Sequence, residues 1–221
     1  MNKTDVLDYL KEYADFKPKV ISRDLRVSVD SDFIISLIGP RRAGKTYYLF
    51  QISKELDSLV YLNFEDSRLR NIIYKEIRDV IRAYTELYGK EPKALLLDEV
   101  QVIDGWSIIA RELHDLKKYR IFITRSPSKM LSAEIATQLR GRVLSYLLLP
   151  FSFKEFLRIK NIDAKNATKD KEAMIKNALL EYIEFGGFPE VVLGTEKQKI
   201  PMEITGTSND LRTCKMKRML F

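Results

Sequence analysis

An almost unbroken run of apolar and β-branched residues, Phe33-Ile34-Ile35-Ser36-Leu37-Ile38, leads directly into Gly39-Pro40-Arg41-Arg42-Ala43-Gly44-Lys45-Thr46. A strand that apolar is buried on both faces and belongs in the interior of a parallel sheet. The two glycines let the backbone curl so that successive N–H groups face inward as an anion nest. The residues that follow, 45–56, read as a helix, whose N-terminal end adds positive potential to the nest. Strand, anion-binding turn and helix in that order restrict the chain to an α/β architecture.

The remaining sequence agrees with this restriction. Strands are expected over 59–64, 94–98, 120–124 and 142–148. Helices are expected over 4–13, 67–88, 107–116 and 129–139, each with apolar residues at helical spacing. Strands alternating with helices make βαβ units, a parallel sheet and helices on both faces. This pattern ends near Pro150. Two further helices, over 152–160 and 171–185, followed by Gly186-Gly187-Phe188-Pro189, form a smaller helical unit. The expected organisation is therefore a core over 1–149, a small helical unit over 150–194, and an atypical tail over 195–221 with scattered charge and no period. The tail reads as partly disordered, as if the chain were truncated.

The chemistry-bearing residues lie where strands end. Gly39-x-x-x-x-Gly44-Lys45-Thr46 matches the Walker A pattern, in which Lys45 reaches the β- and γ-phosphates and the Thr46 hydroxyl ligates Mg²⁺. The candidate nucleotide contacts are Gly39, Pro40, Arg41, Arg42, Ala43, Gly44, Lys45, Thr46 and Tyr47. Leu95-Leu96-Leu97-Asp98-Glu99 has the form of a Walker B strand. Asp98 is then the Mg²⁺ residue, and Glu99 orients or deprotonates the attacking water. Asn2-Lys3-Thr4-Asp5 spells the guanine signature of GTPases, but it opens the chain instead of ending a late strand. ATP is therefore expected rather than GTP.

Composition excludes several alternatives. One Cys and one His leave no disulfide framework and no Cys-based zinc site, so any metal is held by oxygens. No apolar stretch is long enough to span a bilayer, and residues 1–11 lack the apolar core of a signal peptide, which points to the cytoplasm. The net charge of +7, from 38 Lys and Arg against 31 Asp and Glu, suits either DNA or another acidic partner or simply a well-solvated surface.

Together with Tyr61-Leu62-Asn63-Phe64-Glu65-Asp66, Leu97-Asp98-Glu99-Val100-Gln101, Gly105-Trp106, Ile121-Phe122-Ile123-Thr124, Leu139-Arg140-Gly141-Arg142, Pro150-Phe151-Ser152-Phe153-Lys154-Glu155-Phe156 and Phe185-Gly186-Gly187-Phe188-Pro189-Glu190, these motifs resemble the AAA-type P-loop ATPases of archaea and bacteria. The resemblance is to the group often followed by a carboxyl-side domain of unknown function, and it covers about residues 20–193. It implies an additional-strand P-loop NTPase fold, in which another strand separates the Walker A and B strands. It implies Mg²⁺-dependent ATP hydrolysis and leaves oligomerisation open.

The resemblance also suggests further roles. Asn63 matches the polar residue that restrains the catalytic glutamate, or it caps the strand end. Thr124 lies at the sensor position that touches the γ-phosphate or the lytic water. Arg140 or Arg142 matches an arginine finger or sensor, or else pairs with surface acids. The family's Thr-Gly-Ser is here Thr124-Arg125-Ser126, which sets an arginine beside the expected γ-phosphate. Two main readings follow. One is an ATPase, in which Arg125 either adds a phosphate contact or lowers turnover. The other is a nucleotide-dependent nucleic-acid or protein binding module with little or no turnover. A transferase on the same fold is the third.

Overall fold

The structure is a computed structural model that describes residues 3–69, 71–126, 137–164 and 169–194. Five strands form one parallel sheet: β1 (Ile34–Ile38), β2 (Leu59–Asn63), β3 (Ala94–Asp98), β4 (Arg120–Arg125) and β5 (Val143–Leu147). Their spatial order is β2-β3-β4-β1-β5. β4 therefore lies between β1, which leads into the glycine turn, and β3, which carries Asp98. This is the additional-strand P-loop arrangement, an α/β fold with helices on a parallel sheet.

Alternation along the strands sorts side chains to two faces. Val60 and Leu62 of β2, Leu95 and Leu97 of β3, and Ile121 and Ile123 of β4 point to one core, together with helices α1 (Lys3–Asp15), α3 (Ile77–Tyr88) and α4 (Trp106–Asp115). Tyr61, Leu96, Phe122, Ile35 and Leu37 point to the other, covered by α2 (Lys45–Ser53). β3 is buried along its whole length, as expected of a strand with neighbours on both sides and helices on both faces.

The chain before β1 is tied to α2. Val20, Leu25, Val27 and Val29 pack on the α2 side of the sheet. The Tyr48 hydroxyl donates to the Leu25 carbonyl at 2.9 Å, and the Arg23 backbone N–H donates to Gln51 Oε1 at 2.9 Å. Arg23 itself is buried, and its Nη1 donates to the carbonyl of Ala43 in the glycine turn at 3.1 Å.

The helix expected over 67–88 is shorter, starting at Ile77. Asp66 explains the difference. Its carboxylate grips Arg68 through Nε at 3.0 Å and Nη2 at 2.8 Å, and its carbonyl accepts from the Leu69 N–H. The chain then folds in turns that bury Leu69 and Ile72 and leave Ile73 exposed. Glu76 accepts from the Ile73 N–H at 3.0 Å and launches a short 3₁₀ turn before α3. The apolar spacing of 67–76 is real, but local side-chain bonds direct the backbone into turns. Of the helix expected over 129–139, residues 129–136 lie outside the described residues, as does the tail over 195–221.

The chain divides into two compact units, at Leu148 and Leu149. In the second, α5 (Phe153–Ile159) is capped by Ser152, whose Oγ accepts from the Glu155 N–H at 3.2 Å while Glu155 returns a bond to the Ser152 N–H at 2.8 Å. Phe156, Leu157 and Ala178 form its core between α5 and α6 (Lys169–Phe185), with Tyr182 and Val192 beside it. Gly187, just before α7 (Pro189–Leu193), passes so close to Phe151 that a Cβ would lie 2.1 Å from its carbonyl oxygen.

Gly39 has a comparable constraint in the first unit. A Cβ there would sit 2.0 Å from the Leu148 carbonyl oxygen, where the end of β5 bonds back to β1 through the Leu148 N–H and the Ile38 carbonyl at 2.7 Å. Gly39→Ala is expected to destabilise the nucleotide-free protein by about 2–3 kcal/mol, read as a lowered midpoint in urea unfolding.

Candidate functional site

In a parallel sheet the loops that follow the strands gather at one rim, and ligands of such sheets bind there. β1, β3 and β4 all deliver polar side chains to that rim. The turn after β1 places Gly44 at φ 92°, a left-handed conformation that glycine adopts without strain, and starts α2 immediately behind it. Lys45 is therefore at the first position of the helix with a buried side chain. Its ammonium donates to Ser126 Oγ at 2.8 Å and to the carbonyls of Gly39 and Pro40 at 3.2 and 3.3 Å, and it lies 3.6 Å from Glu99 Oε1. Burial lowers the Lys45 pKa from its usual value, opposed by the charges of Glu99 and Asp98.

Asp98 ends β3 and is almost fully buried. Three hydroxyls donate to it. Thr46 and Tyr61 reach Oδ2 at 2.6 and 2.8 Å, and Thr124 reaches Oδ1. Desolvation pushes the Asp98 pKa above the ordinary carboxylate range, and the three hydroxyl bonds act in the opposite direction.

Glu99 has φ 55°, in the left-handed region that a non-glycine residue occupies only when its surroundings hold it there. Its N–H donates to Thr124 Oγ1 at 2.9 Å. Its carboxylate accepts from Ser126 Oγ at 2.9 Å and from Gln101 Nε2 at 2.6 Å. Lys45, Ser126 and Glu99 thus form one continuous polar chain, and Thr46, Asp98 and Thr124 form a second beside it.

The structure brings together Lys45, Thr46, Asp98, Glu99 and Thr124 but arranges other expected residues differently. The Thr124 hydroxyl serves Asp98 and the Glu99 backbone, and Ser126 is the hydroxyl that meets Lys45. Asn63 ends β2 on the same rim, but its Oδ1 accepts from the Glu65 N–H at 3.0 Å, capping the turn. Glu99 is held instead by Gln101 and Ser126.

Arg125 points to the opposite sheet face from Thr124, as alternation requires. Its guanidinium carbon lies 5.9 Å from the centre of the Trp106 ring. The expectation that it stands beside the γ-phosphate is therefore corrected. Arg142 precedes β5, at the far rim from the glycine turn, where its Nε bonds Asp115 at 2.8 Å. Arg140, two residues earlier, is exposed near the same rim with φ 50°. Within this chain neither arginine joins the cluster. Arg41, Arg42 and Tyr47 are exposed around the glycine turn, and Ala43 is buried in it.

Four participants were absent from the sequence expectations: Arg23, Tyr61, Gln101 and Ser126. Ser126 and Gln101 adjoin expected residues and alternate with them, a signal the sequence does hold. Tyr61 likewise alternates with Asn63 along β2, whereas Arg23 carries no such signal, because only folding brings it to the turn.

A family model described as AAA domain matches residues 31–157. The chain belongs to this family. The AAA domain match spans β1 to α5 and includes every residue of the polar cluster except Arg23. An uncharacterized protein of Methanocaldococcus jannaschii is 44% identical over 192 residues, covering 85% of this chain and 42% of its own length. One of Haemophilus influenzae is 33% identical over 204 residues, covering 87% of this chain and 45% of its own. The chain thus spans less than half the length of these curated relatives. Among solved structures, AMPPCP-bound DnaA from Aquifex aeolicus is similar, with a TM-score of 0.48 and 18% identity, over 84% of this chain and 59% of that one. Among the described residues no helix is long and apolar enough to cross a membrane.

The buried Asp98 generates a stability prediction for the AAA domain. A carboxyl whose folded pKa is raised takes up its proton more readily in the folded state. Its contribution therefore favours folding at low pH and is lost as pH rises through the folded pKa. Asp98→Asn removes that charge and leaves hydroxyls that can rotate to pair with the amide. The variant is expected to be more stable than the parent by about 0.5–2 kcal/mol at neutral pH, with the difference shrinking toward acid, measured by urea unfolding across pH without nucleotide.

Proposed function

We propose that this chain binds Mg²⁺-ATP at the turn between β1 and α2 and hydrolyses it. The single observation that carries the reading is the joining of Lys45, Thr46, Asp98 and Glu99 in one hydrogen-bonded cluster at the carboxyl ends of the strands. The cluster suits the ligand. The buried Lys45 ammonium donates to carbonyl and hydroxyl oxygens and faces the Glu99 carboxylate at 3.6 Å, so a phosphate has only to replace that partner, and the glycine turn with the α2 N-terminus supplies the rest of an anion site. Hard oxygen donors, a hydroxyl and a carboxylate, fit Mg²⁺, which is typically held through one or two carboxylates with substrate phosphates and water.

Each residue then has a task. The backbone of Gly39 to Gly44 holds the phosphates, and Lys45 neutralises charge on the transferring group. Thr46 and Asp98 hold the cation, which when bound draws charge from the phosphate oxygens. Glu99 orients the attacking water and accepts its proton. Thr124 keeps the Asp98 carboxylate and the Glu99 backbone in place. Because Arg125 lies on the other face, it does not obstruct the site.

A second reading keeps binding and drops turnover. Its support is the ion pair between Lys45 and Glu99, which occupies both residues before any nucleotide arrives, together with the net charge of +7. In that version ATP regulates docking of an acidic partner, such as nucleic acid, through the exposed Arg41 and Arg42 beside the turn.

Phosphate release separates the two. The hydrolase reading expects the parent protein to release phosphate from ATP, Glu99→Gln to reduce the rate by about 10²–10⁴-fold while still binding ATP, and Lys45→Ala to lose binding. A parent rate equal to that of both variants excludes hydrolysis. Thermal stabilisation by Mg²⁺-ATP in the parent and in Glu99→Gln, without release, would leave the binding-module reading.

A further inference from the structure

Tyr61 stands two residues before the end of β2, the edge strand, and its hydroxyl crosses to β3 to reach Asp98 Oδ2 at 2.8 Å. It is not part of the Walker patterns, and its ring is buried on the α2 side of the sheet. There it is wedged between Phe50 and Tyr13, with ring centres at 4.9 Å from each. Tyr13 in turn packs on Tyr9 of α1, whose hydroxyl accepts from the Asn63 N–H at 2.8 Å. The phenol therefore has little freedom to turn away, and its oxygen is aimed at one carboxylate atom.

Hydrogen-bond counting gives this contact a consequence. An ionised carboxylate offers about four lone-pair positions. Thr46 and Tyr61 take both on Oδ2, and Thr124 takes one on Oδ1. A single acceptor position remains, on Oδ1. Thr46 reaches one oxygen from α2 and Thr124 the other from β4, and Tyr61 adds a third bond from β2, a second donor on Oδ2 that opposes its turning toward any other partner.

We propose that Tyr61 is a positioning residue for the divalent cation: its hydroxyl locks the Asp98 carboxylate so that the remaining Oδ1 position faces a metal-bound water. The inference rests on the Mg²⁺-nucleotide reading of the site. It concerns how that reading is realised in this chain, through a tyrosine from the edge strand acting on the Walker B carboxylate from behind.

Tyr61→Phe removes one oxygen and keeps the ring between Phe50 and Tyr13. Affinity for a non-hydrolysable ATP analogue is measured by calorimetry in EDTA and across a Mg²⁺ titration, on the whole chain. Tyr182→Phe, which removes a phenol oxygen bonded to the Phe151 carbonyl in the helical unit, is the comparison. In EDTA the parent and both variants are expected to bind the analogue alike. The Mg²⁺ concentration for half-maximal enhancement is expected to rise about tenfold in Tyr61→Phe, as for loss of an outer partner of a metal carboxylate, and to stay at the parent value in Tyr182→Phe. An unchanged Mg²⁺ requirement in Tyr61→Phe overturns the role and leaves Asp98 as merely the partner that satisfies a buried phenol. An equal rise in Tyr182→Phe overturns it as well, since loss of any phenol hydrogen bond would then suffice. A parent that binds the analogue without any Mg²⁺ enhancement overturns both this role and the Mg²⁺-nucleotide reading.

Discussion

The Asp98 carboxylate is the point on which the arrangement of this protein turns. It is almost fully buried at the end of the interior strand β3, where a charge is costly unless it is bonded on every side. The bonds come from α2 through Thr46, from β2 through Tyr61 and from β4 through Thr124. Each of those elements must be in place for the charge to be tolerated. The strand order, with β4 on one side of β3 and β2 on the other, is what makes three such donors available at one atom pair.

Glu99 follows directly and inherits the constraint. Thr124 holds its N–H while holding Asp98, so the two acidic residues are set by the same hydroxyl. The left-handed backbone at Glu99 aims its side chain back over the turn after β1, where Ser126, Gln101 and Lys45 receive it. Strain at one residue and desolvation at its neighbour are both unfavourable in isolation. They persist because the packed sheet over-determines the positions, a common cost of polar groups arranged for a ligand.

The residues before β1 extend this frame outward. Arg23 reaches the Ala43 carbonyl from a segment held on α2 by Tyr48 and Gln51. The glycine turn is thus braced on its outer side by a buried cation and closed beneath by the approach of Gly39 to Leu148. The turn is also bonded to itself, with the Ala43 N–H donating to the Pro40 carbonyl at 3.3 Å and the Lys45 ammonium to the carbonyls of Gly39 and Pro40. After Leu148, the small helical unit is built separately around Phe156, Leu157 and Ala178.

Much of this was legible in the residues themselves. Continuous apolar strands and amphipathic helices dictate a parallel α/β sheet, since strands like Ala94–Asp98 have no other way to bury both faces. The spacing of Gly39, Gly44, Lys45 and Thr46 locates the tight turn between β1 and α2, because few other sequences let a backbone close on itself ahead of a helix. Local chemistry hid the turns over 67–76, where Asp66 and Glu76 capture backbone N–H groups that a periodicity argument assigns to a helix. Strand alternation, correctly applied, already sends Arg125 away from Thr124, but only the neighbouring Trp106 shows where it goes. The bonds of Tyr61 to Asp98 and of Arg23 to the turn could not be read, and neither could the separation of Arg142 from the turn. Those depend on which strands become neighbours and which rim each loop occupies, and long-range pairing is fixed by the whole buried sheet. The sequence by itself determined the class of fold and the residues that bear charge at its strand ends. The tertiary structure alone decided which of them meet, because a buried carboxylate selects its partners from every element packed around it.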